Sequence, residues 1–481
     1  MHDFERVTPE SVGIHSKTLT RFYKEMEINK YPIHNFILLR HGKLVTQGSW
    51  YPYRRDMNHM IYSTSKTVCA LAIGFCIQEG LLSMDDRLVD FFPELITGPI
   101  HEFNRERTIR TLLTMTGGET GDASSIDRSY PDWLKTYLNT PPRVKPGTLY
   151  GYDNSATHAL SAVIQKVSGQ KLIDYLRPRL FDPLGVSKDC YWEEQMGINT
   201  ASRGFHCTIE DLAKIGQFCL QMGEWEGRQL IDRRWMEEAT SKQVEVTNFT
   251  SRHDGNPGYG YKFWLFRDGA YGTKGNGGQN FICYPRYDIL WAFTANLEDS
   301  YGRHAGFMHM CWPMLFSDIS DGPLPEDPEA YAELLETEKD LQINLCDHMD
   351  HISPLEERLY GNTYVMAKNA SQFHTVRFEK RENGLRLVFT LGIDRHEWVV
   401  DADFGHWLYQ PVTETNDYGW GQYIWRNDRV MELTLLIRET LGQYQMIFYI
   451  NDDNSISIDI YPISWRDMNR LQYFGMGYSW A

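Results

Sequence analysis

Apolar and polar positions divide the chain into a mixed N-terminal part and a strand-rich C-terminal part. Two apolar runs, 36–39 and 44–46, flank His41-Gly42 and predict a β-hairpin over 35–48. Strands followed by many helices and then by strands again are typical of an α+β arrangement. Helical patterns cover 68–77, 106–116, 154–168, the segment after Thr208, and 303–316, and strand patterns cover 259–266, 279–284 and 288–295.

The pattern changes between residues 318 and 354. The run 322–328 is stiff and turn-rich, and an acidic helical pattern follows at 329–342. From residue 355 onward, short strands separated by turn residues predict an antiparallel barrel or sandwich. We therefore expect a first domain, a linker with one helix and a C-terminal all-β antiparallel barrel, at residues 1–320, 321–354 and 355–481.

The composition limits the classes of partner. With 481 residues the chain is too long for one compact core, and its net charge of −16 disfavours nucleic acid and anionic membrane surfaces. No apolar run is long enough to span a bilayer, and the N-terminus lacks the basic-then-apolar order of a signal peptide. The eight cysteines are scattered without a CxxC pair, so we expect reduced, buried thiols in a cytoplasmic protein.

Ser63 and Lys66 lie at the start of the predicted helix that contains residues 68–77. Residues three apart share a helix face, so the hydroxyl and the amine are expected one turn apart. The unpaired N–H groups of a first turn can donate to a developing oxyanion. An amine that loses its charge beside apolar side chains can remove the proton of a serine hydroxyl. The pattern indicates a serine activated for acyl transfer.

The Ser-x-x-Lys spacing alone is a weak signal, because the chain contains a second copy at Ser168 and Lys171. That copy follows a helical pattern and has Gly169 at a predicted C-cap, so we interpret it as a helix end. On spacing alone, Ser63 and Lys66 are equally compatible with a solvated helix start. Other segments have to decide between the two interpretations.

A second group of candidates is the run 145–154, which ends in Tyr152-Asp153-Asn154 before an amphipathic helical pattern. A phenol beside an amine can act as a phenolate, since the cation favours its charged form. Asn154 can donate and accept, so it can hold both Lys66 and a substrate carbonyl. The Tyr-x-Asn triplet also occurs at 137–139 and 360–362, and only the turn before this copy and the helix after it distinguish it.

A third candidate is the glycine-rich run 272–280, which lies between strand patterns and contains Thr273, Lys274, Gly275 and Asn276. Glycine at this density lets a backbone approach a ligand closely. An N–H on this strand edge could complete an oxyanion hole with the N–H of Ser63. Taken alone, the run is slightly better explained as a glycine-rich hairpin turn.

In their order and spacing, the three segments together resemble the serine β-lactamase and penicillin-binding protein superfamily, in particular its class C-related serine hydrolases. That branch includes esterases, D-amino-acid-specific peptidases and aminohexanoate-oligomer hydrolases. The resemblance covers residues 5–320 and extends to the runs 36–45, 108–118 and 208–213. It implies an antiparallel sheet flanked by helices. It also implies that Ser63 is the nucleophile, that Lys66 is the family's lysine, and that Tyr152 and Asn154 form its Tyr-x-Asn.

The resemblance implies hydrolysis of an ester or amide through an acyl-serine. Ser63 attacks the carbonyl while Lys66 and Tyr152 move its proton, and backbone N–H groups of Ser63 and Asn276 hold the oxyanion. Water then releases the acyl group. No metal or organic cofactor is implied. The expected partner is a small ester, amide or short peptide, and assembly into a homo-oligomer is left open.

Two departures from the family pattern concern the third motif and the middle residue of Tyr-x-Asn. When the glycines are aligned, Thr273-Lys274-Gly275 matches the family's third motif, whose first residue helps to hold a substrate carboxylate. If the alignment is shifted by one residue, Lys274 takes that role. With Thr273 first, β-lactams and peptidoglycan stems become poorer substrates. Asp153 is unusual in its position, and its side chain is expected to face solvent, the commoner outcome for aspartate.

The resulting order of preference is a carboxylesterase or small-amide hydrolase, then a D-amino-acid-specific peptidase, then a β-lactamase. A penicillin-binding-like sensor or scaffold without turnover is the alternative from another class. The combination of Ser63, Lys66 and Tyr152 argues against it, because a pure binder has no use for all three.

Overall fold

The predicted order of strands, helices and strands is present, but a helix that was not predicted, Ser16–Ile28, precedes the first strand. The computed structural model describes residues 4–119, 131–246, 258–297, 303–343, 348–369, 373–412, 417–462 and 473–479. Its α-helices are α1 (Ser16–Ile28), α2 (Ser65–Gln78), α3 (Leu88–Phe91), α4 (Glu102–Arg105), α5 (Ile109–Leu113), α6 (Trp133–Asn139), α7 (Asn154–Ser168), α8 (Leu172–Leu176), α9 (Asp182–Leu184), α10 (Ile209–Leu220), α11 (Arg233–Ala239), α12 (Arg303–Phe316) and α13 (Pro328–Lys339).

The first unit is built on an eight-stranded sheet with the order β10-β11-β12-β13-β14-β15-β1-β2, in which neighbours are antiparallel. The strands of this unit are β1 (Ile33–Arg40), β2 (Lys43–Ser49), β3 (His59–Met60), β4 (Tyr191–Trp192), β5 (Glu194–Gln195), β6 (Ile198–Asn199), β7 (Phe205–Cys207), β8 (Glu224–Trp225), β9 (Arg228–Gln229), β10 (Val244–Glu245), β11 (Gly258–Tyr259), β12 (Trp264–Leu265), β13 (Tyr271–Gly272), β14 (Asn280–Tyr284) and β15 (Ile289–Ala295). The predicted hairpin is confirmed as β1 and β2.

Helices cover both faces of this sheet, which explains why β1 is buried along its whole length. Because side chains alternate along a strand, Phe36 faces one side and Ile37 the other. The Phe36 ring lies 4.7 Å from that of Phe22 in α1. Ile37 belongs to the core that includes residues of α2, α7 and α10. This arrangement confirms the α+β prediction of an antiparallel sheet flanked by helices.

Helix α2 crosses the centre of the first unit, since every residue from Ser65 to Cys76 is buried. Helix α10 begins as predicted at Thr208, whose hydroxyl accepts the N–H of Asp211. Helix α7 ends at Gly169, which adopts a left-handed φ of 71°. The second Ser-x-x-Lys copy is thereby confirmed as a helix end.

The single strand predicted over 259–266 is wrong. The structure has two short strands there, β11 and β12, which pair with each other through Tyr259 and Trp264. The chain reverses between them because Lys262 adopts a left-handed φ of 62°. The N–H of Gly260 also donates to the carbonyl of Phe263 across the turn.

The second unit is a ten-stranded, barrel-like sheet with the order β19-β18-β17-β16-β25-β24-β23-β22-β21-β20. In addition, β19 at one end of this order pairs in parallel with β21, the strand next to the other end. Its strands are β16 (Thr363–Met366), β17 (Phe373–Lys380), β18 (Gly384–Leu391), β19 (His396–Phe404), β20 (Leu408–Val412), β21 (Asp417–Asn427), β22 (Val430–Ile437), β23 (Gln443–Ile450), β24 (Ile456–Pro462) and β25 (Tyr473–Ser479). This sheet confirms the antiparallel C-terminal barrel.

The two units do not divide at residue 320. The acidic helix expected in the linker is α13, which lies in the first unit, where Lys24 of α1 pairs with Glu333 at 2.7 Å. The first unit extends to Leu341, and the second contains 342–481 together with Tyr51–Tyr53. The division of the chain into independent domains stays a prediction.

Two sequence-based expectations concern membranes and cysteines. Among the residues that the structure describes, no helix is long and apolar enough to cross a membrane. Seven cysteines are free and buried, as predicted, and Cys346 lies outside the described residues.

Candidate active site

Ser63 lies in a 3₁₀ turn, Tyr62–Thr64, that leads directly into α2. The preceding residue, Tyr62, has a left-handed φ of 45°, which is unfavourable for a side chain of this size. Strain of this kind persists only where the surrounding structure imposes it, and it is frequent at catalytic sites. The turn leaves the Ser63 side chain half-buried, while Thr64 next to it is buried.

Lys66 occupies the first turn of α2, and only 1% of its surface is exposed. Its Nζ lies 3.0 Å from Ser63 Oγ, which is hydrogen-bond distance. The same amine donates to the backbone carbonyl of Ser202 at 2.5 Å. The predicted contact between the hydroxyl and the amine is therefore present, and the carbonyl fixes the direction of the lysine.

Tyr152 lies just before α7 and brings a phenol to the same amine. Lys66 Nζ is 4.9 Å from the centre of the Tyr152 ring, within the range of a cation–π contact. The Tyr152 ring stacks on Trp264 of β12, with ring centres 6.2 Å apart. Two aromatic residues distant in sequence, Tyr152 and Trp264, thus form one wall beside Lys66.

Asp153 points inward, which overturns the expectation that it faces solvent. Its side chain is 1% exposed, and Oδ1 accepts the N–H of Ser155 at 2.8 Å as the N-cap of α7. An aspartate at this position satisfies a free N–H of the first turn, which explains the inward orientation. Asn154 is the first residue of α7 and is half-buried.

The glycine-rich run packs against the turn that carries Ser63. A Cβ atom at Gly275 would lie only 2.7 Å from the carbonyl oxygen of Ile61, so the two backbones touch at this point. The carbonyl of Gln279 accepts the hydroxyl of Thr64. The N–H of Gly275 donates to Asn280 Oδ1 at 3.0 Å and is therefore already used. This leaves the N–H of Asn276 as the better candidate for an oxyanion contact.

The two candidate residues of the third motif face different surroundings. Thr273 is buried within the sheet, and its hydroxyl accepts the N–H of Phe281 at 2.9 Å. Lys274 Nζ instead lies 5.0 Å from the ring of Trp264 and 5.5 Å from that of Phe266. Because Trp264 also stacks on Tyr152, the Lys274 amine lies next to the aromatic wall that these two residues form.

Two groups of this region were not predicted from the sequence, the Ser202 carbonyl and the Lys262 amine. The Ser202 carbonyl could not be predicted, because backbone acceptors leave no signal in the side-chain pattern. Lys262 was treated only as part of a strand, yet its side chain is 1% exposed. Burial lowers the pKa of its amine to about 7. A lysine within the aromatic run 259–264 was the signal that could have identified it.

Comparison with known proteins places the chain in a family. A family model described as Beta-lactamase matches residues 26–306, which is more than half of the chain. The chain is 24% identical over 290 residues to a 6-aminohexanoate-dimer hydrolase of Paenarthrobacter ureafaciens, covering 56% of this chain and 74% of that protein.

Two further similarities are to a second relative and to a solved structure. The chain is 26% identical over 176 residues to a lovastatin esterase of Penicillium rubens, covering 31% of this chain and only 43% of the relative. A solved structure from Bacillus anthracis, provisionally named a 6-aminohexanoate-dimer hydrolase, has a TM-score of 0.52 at 18% identity and covers 68% of this chain and 89% of that one. The fold of that structure and the extent of the family match agree: the chain belongs to the Beta-lactamase family of serine hydrolases.

Proposed function

We propose that the protein hydrolyses an ester or amide bond of a small substrate through an acyl-serine on Ser63. The observation that carries this proposal is the approach of Lys66 Nζ to within 3.0 Å of Ser63 Oγ beside the Tyr152 ring. A buried amine that contacts a hydroxyl at this distance can remove its proton once the amine is neutral.

In the first half of the reaction, Ser63 Oγ attacks the carbonyl carbon while its proton passes to Lys66. The N–H groups of Ser63 and Asn276 stabilise the negative charge on the carbonyl oxygen. Tyr152 donates a proton to the leaving group as the tetrahedral intermediate collapses. In the second half, water attacks the acyl-serine, and the same groups run in reverse to release the acid.

The substrate class is inferred from the wall beside Lys66. Trp264 and Tyr152 offer apolar ring faces, and Lys274 Nζ lies over Trp264 at 5.0 Å, where it could contact an anionic group of the substrate. We rank carboxylesterase or small-amide hydrolase first, D-amino-acid-specific peptidase second and β-lactamase third. The relatives named for an aminohexanoate dimer and for lovastatin support an amide or ester substrate.

The scattered, unpaired cysteines support a cytoplasmic location, which we propose as part of this function. Free thiols that are buried in this number are typical of proteins in reducing compartments. Fractionation of the source cells with an antibody against the protein checks this location, and recovery only outside the cytoplasm would contradict it.

Labelling with a fluorophosphonate probe tests the activated serine. The wild type should be labelled, and Ser63→Ala should not be. The matched control is Ser168→Ala, which removes the serine of the second Ser-x-x-Lys copy, where Ser168 Oγ donates to the Ile164 carbonyl and accepts the N–H of Gln170. This control should be labelled like the wild type. Equal labelling of Ser63→Ala and the wild type would remove Ser63 as the nucleophile.

Turnover separates a hydrolase from a protein that is merely acylated. A nitrophenyl ester and D-alanine nitroanilide should be compared, and the ester is expected to be hydrolysed faster. Labelling of Ser63 without turnover of either compound would favour the sensor or scaffold.

A further inference from the structure

Lys262 carries a second buried amine close to the proposed site. Its side chain is 1% exposed, and its Nζ lies 3.1 Å from the thioether sulfur of Met115. A thioether is a weak acceptor for an ammonium group, so this contact does little to offset the loss of water. An apolar side chain of similar length would fill the same space without this cost.

The backbone around Lys262 joins the segments that carry Lys66 and Tyr152. The carbonyl of Lys262 accepts the hydroxyl of Thr67, the neighbour of Lys66, at 2.6 Å. The Met115 sulfur that contacts the amine also accepts the N–H of Asp153, the neighbour of Tyr152, at 3.3 Å. Contacts of Lys262 therefore reach the sequence neighbours of both groups that would move protons: its carbonyl reaches Thr67, and its amine reaches Asp153 through Met115.

The charged and titratable groups around the amine come from different elements. Asp153 faces it from the start of α7, and Cys69 faces it from α2. Cys69 is also within electrostatic reach of Lys66, so both amines act on the same part of α2. Beyond Asp153 lie Tyr137 and Glu119, and burial raises the pKa of each of these.

Glu119 in turn contacts Arg107, with a distance of 3.3 Å between Oε1 and Nη2. Burial lowers the pKa of the Lys262 amine, and the Asp153 carboxylate opposes this shift and keeps the value at about 7. The amine thus changes charge near neutral pH.

We propose that Lys262 is a positioning residue whose buried ammonium, opposed by the Asp153 carboxylate, sets the pH range in which the Ser63 site works. This proposal rests on the proposed function. A positive charge near Lys66 disfavours protonation of the general base, and a negative charge favours it. The two charges therefore act in opposite directions on the same proton equilibrium, which belongs to the coupled groups and not to one residue.

The test is the pH profile of kcat/KM for a nitrophenyl ester. Lys262→Met removes the positive charge and keeps the volume, so the acid limb of the profile should move to higher pH by about one unit. Asp153→Asn removes the negative charge but keeps an N-cap side chain, and it also removes the group that holds the Lys262 amine charged, so the acid limb should move less than in Lys262→Met. Lys214→Met is the matched control, because Lys214 is also buried but its amine only donates to the Gly185 carbonyl.

A purely structural role for Lys262 would lower the rate at every pH and leave the acid limb in place, as expected for the Lys214→Met control. That result for Lys262→Met would overturn the proposal. If Lys262→Met does not fold, Lys262→Gln, which also removes the charge, takes its place, and an unmoved or lowered acid limb would overturn it. Failure of the proposed function is distinguishable, since it appears as equal probe labelling of the wild type and Ser63→Ala.

Discussion

At the scale of single residues, the proposed chemistry depends on where the Lys66 amine is held. Only 1% of the Lys66 surface is exposed, so the amine has lost most of its water. It contacts the Ser202 carbonyl and the Ser63 hydroxyl instead. These two contacts hold the amine beside the hydroxyl whose proton it would take. The Tyr152 ring at 4.9 Å adds a group that can return the proton to a leaving group.

Removal of either proton-transfer group should slow acylation strongly. We expect Lys66→Ala and Tyr152→Phe each to lower the acylation rate by about 10² or more, the usual range for a general acid or base. Stopped-flow measurement of nitrophenol release gives this rate. Lys171→Ala, in the second Ser-x-x-Lys copy, should keep the wild-type rate. A full rate in either active-site variant would show that the proton path is wrong.

The sequence predicted the contact between Ser63 and Lys66 because it is local, and residues three apart share a helix face. It could not predict the direction of Asp153, since capping of α7 competes with the general preference of aspartate for solvent. The surroundings of Thr273 and Lys274 also required coordinates, because both orientations fit a glycine-rich edge. The burial of Lys262 could not be predicted, because a charged residue within an apolar run can be either buried or exposed.

At the scale of elements, the connection between β13 and β14 supports the turn that carries Ser63. Gly275 touches the carbonyl of Ile61, and the Gln279 carbonyl accepts the Thr64 hydroxyl. Ile61 precedes Ser63 in the chain and Thr64 follows it, so these contacts lie on both sides of the nucleophile. The glycine-rich run therefore serves as a close-packed support for the turn, in addition to any contact with substrate.

A side chain at Gly275 should disturb this support. In Gly275→Ala the new Cβ would lie 2.6 Å from the Gln279 carbonyl oxygen and 2.7 Å from that of Ile61, so the backbones must separate. We expect probe labelling of Ser63 to slow by about 10², since small misplacements of a reacting group have effects of this size. Gly98→Ala is the control, because a Cβ there meets no heavy atom within 4 Å. Unchanged labelling of Gly275→Ala would contradict the account.

Elements with strong periodicity were predicted well, and short irregular ones were not. The hairpin of β1 and β2 has two buried strands around a turn, and α7 has a capping residue at each end. The error over 259–266 arose because aromatic residues continue through the turn at Lys262, so the sequence shows no break. A positive φ at a lysine cannot be recognised from the amino-acid composition of the segment.

At the scale of the whole molecule, the chain forms two units of different architecture. The Ser63, Lys66 and Tyr152 side chains all belong to the first unit. The second unit has its own core, which includes Phe378, Phe389 and Trp425. Each unit thus has the buried apolar residues that an independent fold requires.

Removal of the barrel-like unit should change solubility or substrate range more than the reactivity of Ser63. A chain that ends at Leu341 should retain probe labelling, although it exposes Tyr51–Tyr53, which belong to the second unit. Circular dichroism checks that the shortened protein is folded, and the full chain is the control for labelling. A folded truncation without labelling would count against independent domains.

Identification of the residue that carries the acyl group tests the central claim most directly. The protein is quenched in acid during turnover of a nitrophenyl ester, digested and mapped by mass spectrometry. We predict the mass of the acyl group on the peptide that contains Ser63, and its absence in Ser63→Ala. An unmodified Ser63 during continuing turnover, or an acyl group on a different residue, would contradict the account.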